Sequence, residues 1–354
     1  GDRLRSRAGG VIVWWLSGLM ILLTAEIPLH AEEDSLDSRD VRIVAGLRES
    51  LLFGLAEDYA RQQLEKADLP PIERTDLIVE LIQTLTLQAA HSPANEQALR
   101  WSKARQAGER FLIQKPPPVR MELIRIQQVL TGLSQGELAR LTYEASGEQP
   151  LAEEARKDLR QVRDELAALR KQIEEQIIAR RRLPAGEEFT SDELQNLAHQ
   201  LDLHQARLLR NMALTYPLKS DSRLSLLLEG MELLKGPLRS LPRTEPIYWP
   251  MSVEWLTSAR LAEQYDAAQR VLKNLLTSDI PTATRLRLFA EEIRLALAEG
   301  RLGQASQQAQ LAQSLAGNIW QDPELDLARL ELETARWRDA LSVNDSARAQ
   351  QSQA

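Results

Sequence analysis

Glu263-Gln264-Tyr265-Asp266-Ala267-Ala268-Gln269-Arg270-Val271-Leu272 is matched further along by Leu297-Ala298-Glu299-Gly300-Arg301-Leu302-Gly303-Gln304-Ala305. Each stretch joins two helix-forming runs across a short break, and Ala268 and Ala305 stand 37 residues apart. Ala309 and Ala312 prolong the small-residue row of the second stretch at helical spacing. Recurrence at a period of 20 to 50 residues marks a repeat architecture, in which one supersecondary unit is stacked on copies of itself.

Upstream, the chain reads as helices divided by short breaks. Asp40 to Leu52 sets Val41, Val44, Leu47 and Leu51 at helical spacing. A break near Phe53-Gly54 leads into a helix through Ala56, Ala60 and Leu64 that stops at Leu69-Pro70-Pro71, and Pro71 suits the first turn of the next helix. That one carries Leu77, Ile78, Leu81, Ile82 and Leu85 and ends near His91-Ser92-Pro93. Ala94 to Ile113 presents Leu99, Trp101, Ala104, Phe111 and Leu112, and Lys115-Pro116-Pro117-Pro118 halts it. Val119 to Leu130 and Glu137 to Ala145 read as a further pair around Gly132 and Gly136.

The pattern resembles the tetratricopeptide repeat family, whose period is about 34 residues, with Ser278-Asp279-Ile280-Pro281 supplying the extra length here. In that register Ala268 and Ala305 are the small residues where two helices of a repeat approach most closely, Tyr265 closes one turn, and Gly300 makes the other. Weaker counterparts are Ala56 after Phe53 and Ala139 after Gly136. The resemblance implies an all-α fold, a TPR-like α-solenoid of stacked antiparallel helix pairs. Each pair has apolar residues on more than one side and must bury them against its neighbours.

One segment departs from the repeats. From Leu151 to Arg182 the chain is highly charged, and Ala152, Ala155, Leu159, Val162, Leu166, Leu169 and Ile173 follow one another at steps of three and four, a coiled-coil seam. Beyond Leu183-Pro184-Ala185-Gly186, Thr190 and Glu193 have capping-box spacing, and Leu194, Leu197, Leu201, His204, Leu208 and Met212 form a second seam. These halves predict a long antiparallel helical hairpin, either inserted between two stacks or serving as one oversized pair within them. The expected organisation is therefore 1–31 export segment, 32–150 N-terminal pairs, 151–218 hairpin, 219–341 C-terminal repeats and 342–354 a Gln- and Ser-rich tail without apolar periodicity, expected to be disordered.

Composition agrees with a folded helical chain: 43% of residues are apolar, 27% charged and 5% aromatic, and no run of alternating β-branched residues bounded by Asn-Gly or Asp-Gly turns occurs. A net charge of −7 disfavours nucleic acid as the main partner. Arg180-Arg181-Arg182, the tight basic cluster, sits where a helix should end and complements its dipole. Arg3, Arg5 and Arg7 precede the apolar stretch Val11 to Ala25, and Ala31 offers a small residue before Glu32-Glu33-Asp34. That reads as a secretory signal peptide, or as an uncleaved inner-membrane anchor over residues 8–25; either predicts export to the periplasm or the extracellular space. With no cysteine, disulfides, thiolate metal sites and cysteine nucleophiles are all excluded.

Chemistry-bearing motifs are sparse. His199 and His204 stand five apart on different helix faces, and His199 with Asp202 offers two ligands at most. Phosphate-cradling glycine loops, nucleophile elbows and dinucleotide fingerprints are missing from the sequence. The expectation is no catalytic, metal or cofactor-binding residue. Tyr248 and Trp249, in Pro246-Ile247-Tyr248-Trp249-Pro250 between the hairpin and the C-terminal pairs, either line a peptide site or plug a seam. In the repeat register Arg260, Arg287 and Arg294 fall on the first helices of their pairs, toward the face where the family holds peptides; they receive an acidic or C-terminal carboxylate, or are solvated charge. The expected function is a non-catalytic protein-binding scaffold, with a self-associating envelope or secretion subunit, joined through the hairpin, as the alternative and an accessory part of an enzyme complex as a remote third.

Overall fold

The computed structural model describes residues 39–115, 117–180, 189–277, 280–316 and 322–351. Residues 1–31, read from the sequence as an export segment, and the break at Leu183-Pro184-Ala185-Gly186 lie outside them. Thirteen helices and no strand occur among the described residues. They are α1 (Arg39–Glu49), α2 (Phe53–Leu64), α3 (Pro71–Ala90), α4 (Ala94–Leu112), α5 (Met121–Ser146), α6 (Gln149–Arg180), α7 (Ser191–Leu214), α8 (Asp221–Ser240), α9 (Tyr248–Leu261), α10 (Tyr265–Leu276), α11 (Thr282–Ala298), α12 (Leu302–Ala316) and α13 (Pro323–Gln351). The chain forms two units, residues 1–233 and 234–354, and the division falls within α8. None of these helices is long and apolar enough to cross a membrane.

In the first unit, α3 packs on α1, α5 on α3 and α7 on α5, while α2, α4 and α6 sit between consecutive members of that row. Apolar residues drive this arrangement. On α3, Leu77, Ile78, Leu81, Ile82 and Leu85 are essentially inaccessible, because that helix is covered by α1, α2, α4 and α5. Each such side chain contributes roughly 1.5–3 kcal/mol by leaving water. The α6 seam from Ala152 to Ile173 is buried throughout, and so are Leu194, Leu197, Leu201, Leu208 and Met212 of α7. Helix α6 packs on α5 as well as on α7. Thr190 caps α7 with a reciprocal box: its hydroxyl accepts from the Glu193 amide and the Glu193 carboxylate accepts from the Thr190 amide.

The second unit repeats the same contact scheme, with α9, α11 and α13 as one row and α10 and α12 between them. Its core is rich in small residues: Ala290, Ala296, Ala305, Ala312 and Ala328 are buried with Leu286, Ile293, Leu325 and Leu332.

Four turns share a geometry that the sequence does not announce. Leu51 (φ 60°), Gly147 (φ 73°), Glu263 (φ 59°) and Gly300 (φ 73°) each end an odd-numbered helix in the left-handed conformation. Five residues beyond each lies a buried alanine: Ala56, Ala152, Ala268 and Ala305. At three of them the backbone bonds are identical. Leu51, Glu263 and Gly300 amides donate to the carbonyls of Arg48, Arg260 and Leu297, and the next amides, of Leu52, Gln264 and Arg301, donate to Leu47, Ala259 and Ala296. That pair of bonds is a Schellman termination, which satisfies carbonyls the helix end would otherwise orphan.

Several expectations are corrected. Gly132 and Gly136 do not divide a helix pair; both lie inside the 26-residue α5. A Cβ on Gly136 would stand 2.5 Å from a Leu159 methyl, and one on Gly132 would stand 2.9 Å from Val162, so the glycines let α6 approach. The turn is Gly147, and its alanine is Ala152 rather than Ala139. Leu99 is exposed because the inward row of α4 runs through Trp101, Ala104 and Gly108. Pro246-Ile247-Tyr248-Trp249-Pro250 is not wholly a connector, since Tyr248, Trp249 and Pro250 form the first turn of α9. Finally, α13 continues as helix through Gln351, into the stretch from Ser342 where disorder was expected; that extension contains neither Gly nor Pro.

Candidate functional site

The arginines singled out from the sequence come together on the row α9, α11 and α13. Arg260 of α9 forks onto Glu291 of α11, donating from Nε (2.9 Å) and Nη2 (3.3 Å). One turn along α11, Arg294 donates to Glu291 (3.2 Å), to Glu324 (2.6 Å) and to both carboxylate oxygens of Glu331 (3.3 and 3.2 Å) on α13. The row is thereby threaded by alternating charge from one helix to the next. Burial by itself would raise the Glu291 carboxyl, but Arg260 and Arg294 outweigh it and hold it down at about 2. Arg294 is held firmly protonated despite its burial, because three carboxylates surround it.

Arg287 differs from these two. Its guanidinium stands 3.8 Å from Asp322, and its side chain keeps 36% of its exposure. Burial raises the Asp322 carboxyl, and the amides of Glu324 and Leu325, which Asp322 caps, pull it back, as does Arg287. Tyr248 and Trp249 are buried, ring edge to ring face at a centroid distance of 5.2 Å. All three arginines pair with acids of the chain itself, and Arg287 does so at the longest distance and with the greatest exposure.

Polar ladders also cross the odd-numbered row of the first unit, where sequence reading singled out no residue. Arg48 of α1 pairs with Glu80 of α3 and donates to Gln83 (2.6 Å), and Gln83 donates in turn to Gln127 of α5 (3.2 Å). Thr86 and Thr131 share a hydrogen bond of 2.8 Å. Arg207 of α7 grips Glu137 of α5 through two bonds of 2.6 Å, while Asn211 donates to Glu137 (2.5 Å) and accepts from Arg140 (3.1 Å). The carboxyl of Glu137 is raised by burial and lowered further by Arg207, Arg210 and Arg140, with a net depression. The available signal was a polar residue at every inward turn of an otherwise apolar helix, which periodicity counts as noise.

The histidines have structural surroundings. Asp202 accepts two bonds from Arg170 (2.8 and 3.4 Å), and His199 stands 4.0 Å from it. Burial, with help from Arg207, pushes His204 down to about 3. His91 ends α3, its Nδ1 on the Leu87 carbonyl and its ring against Phe53. No group of three or more histidine, aspartate or glutamate side chains fit to hold a metal occurs among the described residues. Comparison with protein-family models and with curated proteins finds no match.

Proposed function

We propose that this chain is an exported, non-catalytic scaffold of TPR-like helix pairs that binds other proteins or peptides along the odd-numbered helix row of its second unit. The observation that carries the reading is the recurring unit of a left-handed residue followed five positions later by a buried alanine, at Leu51, Gly147, Glu263 and Gly300. A unit repeated in this way supports a stack whose two layers have different jobs: the even-numbered helices fill the space between neighbours, and the odd-numbered row offers a graded series of side chains to one ligand. On that row Arg287, half-exposed and loosely paired, is the residue for an acidic side chain or a terminal carboxylate, and Arg260 and Arg294 hold the row rigid beneath it. Export rests on the arginine-flanked apolar stretch before Ala31.

A photo-crosslinking residue placed at Ala283, exposed one turn before Arg287 on α11, should give a discrete adduct in envelope extracts, and the same residue at Lys273 of α10 should give none. Arg287→Glu should abolish that adduct, and the milder Arg287→Gln should weaken it while shifting the thermal midpoint by only a few degrees, because the ion pair with Asp322 is long, at 3.8 Å. Equal labelling from both helices, or an adduct indifferent to the charge at 287, would show that the row is not the binding face.

A further inference from the structure

Helix α13 carries two apolar rows on opposite sides. Leu325, Ala328 and Leu332 face the core of the second unit and are buried. Half a turn around the helix, Leu327, Leu330, Thr334, Trp337 and Leu341 follow at steps of three, four, three and four. Of these, Leu330 is 45% exposed, Trp337 64% and Leu341 43%. The spacing is that of a heptad seam, with Leu327, Thr334 and Leu341 at one core position and Leu330 and Trp337 at the other. No residue from Glu333 to Leu341 is buried, so the helix runs at least two turns beyond its last core contact.

We infer that this seam is an interface between two copies of the chain, joined antiparallel through α13. Charge complementarity selects the occupant and its direction. Flanking the seam on the same side are Glu331 and Arg338, and in an antiparallel pair such positions face their own kind. Glu331 of each copy then meets Arg338 of the other, twice by symmetry. Glu331 can serve both partners, since its side chain remains 37% exposed while it holds Arg294. The same register sets Leu330 against Leu341 and Thr334 against Trp337, a small residue opposite a large one. A parallel pair would instead stack the two Trp337 rings at one level and set the Glu333–Arg338 attraction against an Asp326–Glu331 repulsion, whereas the antiparallel pair brings no like charges together at these positions. The inference uses a surface different from Arg287 and does not depend on the binding reading above.

A seam of two heptads lies at the small end of stable interfaces, so the association is expected in the micromolar range. Sedimentation velocity on the full chain, from roughly 1 to 300 µM, should show its weight-average mass rising from one copy toward two. Trp337→Glu should weaken that association roughly thirtyfold or more, as removal of a central aromatic anchor does, with unchanged helical content and thermal midpoint at low concentration. The chain has no cysteine, so introduced thiols are the sole ones. Mixing Leu330→Cys with Leu341→Cys protein under mild oxidation should give a covalent dimer, and neither variant should form one alone. A mass of one copy at all concentrations, association indifferent to Trp337, or crosslinking of each variant only to itself would overturn the proposal.

Discussion

At the residue scale, the left-handed turn positions give the sharpest expectations. Gly300 occupies one at no steric cost, while Leu51 and Glu263 bring a Cβ into a conformation that disfavours it by about 1 kcal/mol. Glu263→Gly should therefore raise stability by about 0.5–1 kcal/mol in urea titration, and Gly300→Ala should lower it by a similar amount. If the two changes move stability in the same direction, the shared turn geometry is wrong. Helical glycines separate in the same manner. Gly46 is exposed in α1 with open space where a Cβ would sit, so Gly46→Ala should stabilise by about 0.5–1 kcal/mol. Gly136→Ala meets the fully buried Leu159 at 2.5 Å, and overpacking of about 1–3 kcal/mol exceeds that propensity gain. Opposite signs for the two variants, read from denaturant midpoints, are the expected result.

The element scale is governed by how closely paired helices approach. Ala268 and Ala305 are buried where α10 and α12 begin to run back along the helix that precedes each. Ala268→Leu and Ala305→Leu should each cost about 1–3 kcal/mol by forcing those helices apart. Thermal midpoints unchanged in both would mean that the alanines have room to spare. Here the recurrence of Tyr265 to Ala268 and Leu302 to Ala305 was legible in advance, because a close helix contact demands a small residue at a repeatable distance from the turn. The equivalent turn at Gly147 was not legible. Gly132 and Gly136 look the same in one dimension as a glycine that ends a helix, and only the position of Leu159 and Val162 on α6 shows that they serve packing.

For the whole molecule, the ladders of charge across the odd-numbered rows make stability depend on pH. Glu291 is depressed from an ordinary value of 4.5 to about 2, so its contribution is fully present above pH 4.5 and is lost as pH falls toward 2. Asp202 and Glu292, raised by burial, act in the opposite sense and soften the acid limb of the wild-type curve. The difference between wild type and Glu291→Gln isolates the one group. That gap should be about 3 kcal/mol near neutrality, because the buried Glu291 carboxylate and its two arginine contacts are lost, and should shrink steadily between pH 4.5 and pH 2. A gap independent of pH in that window would show that the ion pairs do not hold Glu291 ionised.

Helix content and most inward faces follow from the amino-acid sequence by itself. Apolar spacing at three and four residues, with proline and glycine as breaks, is a local property that needs no knowledge of neighbours. The seam from Ala152 to Ile173 and the Thr190 cap could be read in this way before any coordinates. Tertiary structure decided what each face meets. It placed Arg260 and Arg294 against Glu291, Glu324 and Glu331 and left Arg287 more open, and it buried Leu325 and Leu332 while leaving Leu330 and Trp337 on the opposite side of the same helix. Periodicity states that a face is apolar or charged, but its partner is supplied by residues thirty or more positions away, and their approach is a property of the packed chain.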